Sequence, residues 1–239
     1  MTLINAHLKS TLYQEGSFYK IINIKLIIME LTKEIAIKVK ETVECGLSTG
    51  LGKQIPGEMC IEAAVCYAYG LPHGDNPPCV GKEIRNFKIS LNDSKWSSNK
   101  TRAEGMIKLS IAQLNSNVLD QLEFTRRLRI KLINNIISKI ANKHFPEIEK
   151  ELKEVDNLDD AWNLCQNLDR KLSSCGLVFV ASGYCYDTFH GDVGFYSSEI
   201  AKLIECTTDD VLKQASDACL GALIEMKSPG CEYLYLLDN

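Results

Sequence analysis

Apolar residues recur along this chain at the three-to-four-residue spacing of a helix face, and nowhere at the sustained alternation of a half-buried strand. Over 31–46, Leu31, Ile35, Val39 and Val43 fall on one side of a predicted helix. A short helix is predicted over 58–69, after Pro56-Gly57. Over 78–91, Val80, Ile84, Phe87 and Leu91 sit at i, i+4, i+7 and i+11, a single apolar stripe, and Asn92-Asp93 supplies a stop. Ser97, Ser98 or Asn99 can cap the next helix, whose stripe is Ala103, Ile107, Ile111 and Leu114. The longest helix is predicted over 118–143, with Leu119, Leu122, Ile130, Ile133, Ile137 and Ile140 on its buried face.

The pattern changes beyond that point. The acidic stretch Glu147–Asp160 reads as a looser bridge to a helix carrying Ala161, Cys165, Leu168 and Leu172. Leu177–Ala181 is a short apolar run bounded by glycines, which suits either a strand or a buried helical turn, and 233–237 is a second place for a short β element. Residues 182–195 read as a loop rich in Gly, Tyr and Asp. Thr207 or Thr208 can cap the last long helix, with Asp209 and Asp210 suited to its positive end. Pro229-Gly230 closes it. With no βαβ rhythm, the expected fold is all-α, a mainly helical single domain with at most a minor short β element near 177–181 and 233–237. That domain is expected over 29–239. Residues 1–28 read as a peripheral arm or as an upstream extension left by start-site choice. Their apolar run Ile21–Ile28 is broken by Lys25 and too short to span a bilayer.

Composition narrows the function classes. The apolar share of 45% and charged share of 24% are those of an ordinary globular domain. A net charge of −4 gives no global field for nucleic acid or an anionic membrane, so neither partner is expected. Arg126, Arg127, Arg129 and Lys131 accordingly read as a solvated helix face. The 10 cysteines are scattered from Cys45 to Cys231 with no secretory signal before them. They are expected as reduced thiols of a cytoplasmic protein, most of them small core residues.

Chemistry is hinted at in one stretch, residues 56–80, and part of it recurs. Cys66-Tyr67 precedes His73-Gly74-Asp75, as Cys185-Tyr186 precedes His190-Gly191-Asp192. A metal reading takes Cys66, His73, Cys79 and His190 as soft ligands, with zinc as the ion. Against it, no close ligand pair exists, and Cys60 and Cys66 would sit about 120° apart around a helix. A nucleophile reading takes Cys60, near a helix N-terminus that favours thiolate, with His73 or His190 as base. The helix wheel favours a third account of Cys60, which shares a face with Ala63, Ala64 and Tyr67 and looks like a core residue. Asp75, Asp192 and Tyr186 are candidate binding groups. The bland alternative is that Gly74 and Gly191 form turns whose Asp accepts backbone hydrogen bonds. No phosphate-binding loop, dinucleotide fingerprint, zinc-protease helix or nucleophile elbow is present.

The phrases GEMCIEAAVCYAYGLPHGDNPPCV, LNDSKWSSNK, IAQLNS and ALIEMKSPGCEYLYL resemble a segment shared by an uncharacterised group of bacterial proteins. The resemblance runs from Met29 onward and implies no activity. The expected role is therefore a binding or interaction module, for a protein or small-molecule partner, whose surface lies around His73, Asp75, His190 and Asp192. The rival is an enzyme, a hydrolase or transferase using a Cys–His pair or a Cys/His metal site.

Overall fold

The side chain of Thr32 accepts a hydrogen bond from the Ile35 amide and starts α1, Lys33–Glu44. This is a computed structural model, which describes residues 29–173, 180–187 and 193–238. The chain divides into two units, Met1–Glu30 and Leu31–Asn239, and the helices below belong to the second. After α1 come α2, Ile61–Ala68, α3, Lys82–Asp93, and α4, Asn99–Ala112. Helix α5, Gln121–Leu132, runs through a π-helical segment, Ile133–Ile137, into α6, Ser138–His144. Then follow α7, Pro146–Glu154, α8, Leu158–Ser173, α9, Val180–Asp187, α10, Val193–Ile204, and α11, Thr208–Glu225. A 3-10 helix, Pro229–Leu237, ends the described chain.

The all-α expectation holds: the described residues contain no strand, only an isolated bridge between Gly52 and Met59. Several details differ. The β element expected at 233–237 is 3-10 helix, and residues 180–181 begin α9, while 177–179 lie outside the described residues. The acidic stretch contains a full helix, α7, whose Pro146 at the first turn sets the helical φ where a missing N–H costs nothing. Residues 182–187 and 193–195 are helical rather than loop.

The long helix starts later than expected, because the Asp120 carboxylate caps it by accepting from the Leu122 and Glu123 amides. Its expected buried face is correct at Ile133, Ile137 and Ile140, all buried, and differs earlier: Leu122 is 82% exposed and Leu119 and Ile130 are half-buried, while the four-residue row Phe124, Leu128, Leu132, Ile136 and Ile140 is buried. Four-residue spacing overshoots a turn of α-helix by about 40° each time, so such a row drifts around the axis. The π segment lengthens the turn locally and brings the row back under itself.

The predicted stripe on α3 is correct, with Val80, Ile84, Phe87 and Leu91 all buried. On α1 the buried face is Ala36, Val39 and Val43, with Leu31 and Ile35 only half-buried. On α4 Ile107 likewise gives way to Met106 and Leu109.

Helix α2 is the centre of this half of the fold. It packs on α1, α3 and α4, and every residue of it except Tyr67 is buried. A helix apolar nearly all round has no solvent face to offer, and its Ala and Cys residues let neighbours approach closely. Helix α11 covers the far side, against α4, α5 and α10. No described helix is long and apolar enough to cross a membrane.

Candidate functional site: a cleft above a buried ion pair

The site grows from the loop between α1 and α2. The Ser48 amide donates to the Met59 carbonyl (3.0 Å), Lys53 to Glu58 (2.7 Å) and Cys60 to Leu51 (3.3 Å), folding 48–60 back on itself. Gly52 makes this turn at φ +68°, where a side chain would also run into the Glu58 carbonyl oxygen.

Asn92, at the end of α3, ties the loop to α2. Its Oδ1 accepts from the Ile61 amide (3.3 Å), and its Nδ2 donates to the Ser48 carbonyl and to Asp93 Oδ1 (both 2.9 Å). Asp93 Oδ1 also accepts from the Gly50 amide at 2.8 Å. Arg102 of α4, only 3% exposed, donates to the carbonyls of Asn92 and Leu47, both at 2.7 Å. The Asn92-Asp93 helix stop is thus also the fastener of the site.

Between these elements lies a small cleft of about 70 Å³. The loop contributes Gly50 and Leu51, the start of α2 contributes Cys60, Ile61 and Glu62, and the end of α3 contributes Ile89, Asn92 and Asp93. Asp75, from the first HGD sequence, completes the lining. Two residues earlier, His73 Nε2 sits 3.1 Å from the Gly52 carbonyl oxygen, to which it donates as the Nε2–H tautomer, holding the HGD turn against the α1–α2 loop.

Glu62 forms the charged floor. Its Oε1 accepts a hydrogen bond from Lys88 Nζ at 2.5 Å, and both side chains are fully buried. Burial pushes the Glu62 carboxyl above the usual carboxylate range and Asp75 adds to this, while Lys88 opposes it. Burial pushes Lys88 down from the usual amine value, opposed first by Glu62. The other carboxylate oxygen, Oε2, is buried with no hydrogen-bond partner.

Cys60 is the N-cap of α2, its Sγ accepting from the Ala63 amide at 3.4 Å. The expected place at a helix N-terminus is correct, but the expected thiolate is not what this place favours. Burial pushes the Cys60 thiol up to about 11, with Glu62 and Asp93 adding to it, against the helix amides. Cys66 is likewise buried and pushed up to about 12, first by burial and then by Glu62, and burial also raises Cys79 and Cys219.

Among the described residues, no three Cys, His, Asp or Glu side chains come together as a metal site. Cys66, His73 and Cys79 are therefore not assembled as ligands by the part of the fold described. His190 and Asp192 lie outside the described residues, and Tyr186 falls on α9. The basic residues near 126–131 are offset by acids. Glu123 pairs with Arg126 (2.8 Å) and Arg127 (2.6 Å), and Glu225 with Arg127 (3.3 Å) and Lys131 (2.5 Å).

Sequence reasoning singled out Asp75 as a binding group and Cys60 as a nucleophile candidate, and it did not single out Glu62, Lys88 or Asn92, which form the buried pair and the wall of this cleft. A signal was present: Lys88 lies on the stripe Ile84-Phe87-Leu91, and Glu62 is the one charge in an otherwise apolar eight-residue helix. No protein-family model, curated protein or solved structure matches this chain.

Proposed function

We propose that this protein is a binding module for a small ligand, with the cleft between α2 and α3 as its site. The observation that carries the reading is Glu62 Oε2, a buried carboxylate oxygen without a partner on a residue that lines the cleft. Buried polar atoms in folded proteins are nearly always satisfied, so an unsatisfied one at a cleft points to a guest. Rigidity supports the same reading. Asn92, Asp93 and Arg102 brace both walls, so a ligand finds these in place and only the buried Glu62 side chain has to turn towards it.

The Cys–His enzyme reading has less behind it. Cys60 spends its sulfur on capping α2 and its thiol is raised rather than lowered, the opposite of an activated nucleophile.

The test is a set of small fragments, charged and neutral, titrated into 15N-labelled protein. Fragments that bind are expected to move the amides of Gly50, Leu51, Ile61 and Asp93 together. Hits that gather elsewhere on the surface, with these four amides unmoved, would remove the site from consideration.

A further inference from the structure

We propose that the cleft receives a primary ammonium group, carried by a small amine, with Glu62 Oε2 as its buried acceptor and Asp75 and Asp93 as its flanks. This rests on the reading of the cleft as a ligand site and adds the chemistry of the ligand.

The sign of charge comes from the lining. Three carboxylates border the cleft, and no Lys, Arg or His is among its lining residues. Lys88 sits beneath and gives its ammonium to Glu62 Oε1. Arg85, whose charge also reaches Glu62, is hydrogen-bonded to Asn76 Oδ1. An anion would need free N–H donors at the start of α2, and three of the amides there are already bound. The Ile61 amide is bound to Asn92 Oδ1, the Ala63 amide to Cys60 Sγ, and the Cys60 amide to the Leu51 carbonyl. The charged side chains that line the cleft are all carboxylates.

The shape of the cation comes from the buried pair. A guanidinium binds a carboxylate best through two parallel N–H bonds, which needs both oxygens. Glu62 offers one, because Lys88 holds the other. An ammonium is a compact point charge with three diverging donors. It can place one N–H on Oε2, with Asp75 and Asp93 adding negative charge at the cleft without converging on the same nitrogen. A metal cation fits less well, since Ca²⁺ or Mg²⁺ wants six or so oxygens and the described residues bring no three such ligands together. The cleft, at about 70 Å³, admits a head group and leaves the rest of the amine outside, beside Leu51.

The experiment titrates the full chain, 15N-labelled, with methylammonium, methylguanidinium, tetramethylammonium, acetate and acetamide at matched ionic strength. Methylammonium is expected to move the amides of Gly50, Leu51, Ile61 and Asp93 in a saturable way. Tetramethylammonium, a cation without N–H donors, is expected to leave them in place. In Asp75→Asn, an exposed change that removes one flanking charge, methylammonium affinity is expected to fall roughly three- to fivefold. Glu62→Gln is expected to abolish binding, and if that variant does not fold, Asp75→Asn carries the test alone.

Binding of acetate or acetamide at these amides without methylammonium would overturn the ammonium chemistry and leave the ligand site standing. An equal response to tetramethylammonium, or unchanged affinity in Asp75→Asn, would overturn it too. Silence of the four amides towards all five probes would overturn both the ammonium inference and the site.

Discussion

Lys88 stands where the apolar stripe of α3 calls for a hydrophobic side chain, and Glu62 stands where α2 has no polar face to give it. Neither can be removed alone without stranding the other. Lys88→Met leaves a carboxylate in the core, and a loss of about 3–5 kcal/mol is expected in urea unfolding. The double variant Glu62→Leu/Lys88→Met removes both charges and is expected to recover most of that loss, since well-packed apolar pairs often match buried ion pairs.

The pH dependence of Lys88→Met follows from the same burial. Glu62 then keeps its desolvation and loses its cation, so its folded pKa rises further above the unfolded value of about 4.3. The folded state retains a proton that the unfolded state releases. Stability from this source is complete below the unfolded value and is lost as pH rises through the folded pKa. The variant is thus expected to lose up to about 1.4 kcal/mol per pH unit, relative to the parent, across that window. A variant whose unfolding free energy tracked the parent's at every pH would show that Glu62 reaches water. This pair was legible as two misplaced charges, but their partnership was not, because it joins residues 26 positions apart on different helices.

At the scale of elements, the α1–α2 loop owes its shape to backbone that only glycine adopts cheaply. Gly50 and Gly52 both have positive φ, yet a side chain at Gly50 meets open space while one at Gly52 meets the Glu58 carbonyl. Gly50→Ala is expected to cost about 1 kcal/mol from backbone strain alone. Gly52→Ala is expected to cost about 3 kcal/mol or more, and to shift the cleft amides, because the loop itself must move. Equal costs in thermal unfolding would contradict this account of the loop.

Helix α11 is a simpler case. Thr207 and Asp210 form a reciprocal capping box, and Thr207→Ala is expected to lose about 1 kcal/mol. That cap could be read from Thr-Thr-Asp-Asp, as the α3 stripe could be read from its spacing. The π segment after α5 could not. It satisfies a four-residue row of apolar residues by altering the helix rather than the row, so that spacing read as ideal α-helix finds Ile133, Ile137 and Ile140 but puts Leu122 inside and misses Phe124 and Leu128.

For the molecule as a whole, composition and periodicity carried the fold class, since helix periodicity is local and repeats along the chain. The site is non-local. Asn92 reaches Ser48 and Ile61, and Arg102 reaches Leu47, contacts that no spacing in the sequence announces. The first HGD sequence drew attention to Asp75, which lies among the residues lining the cleft. The cysteines around it drew attention to metal and thiolate chemistry, whereas burial raises Cys60, Cys66 and Cys79 and makes them poor nucleophiles.

The most direct measurement is a high-resolution crystal structure of the protein grown with methylammonium. The account predicts an ammonium nitrogen within hydrogen-bond distance of Glu62 Oε2, with Lys88 still on Oε1 and the walls of Asn92 and Arg102 unmoved. Glu62 Oε2 bonded instead to another group of the protein, with the cleft closed over it, would contradict it.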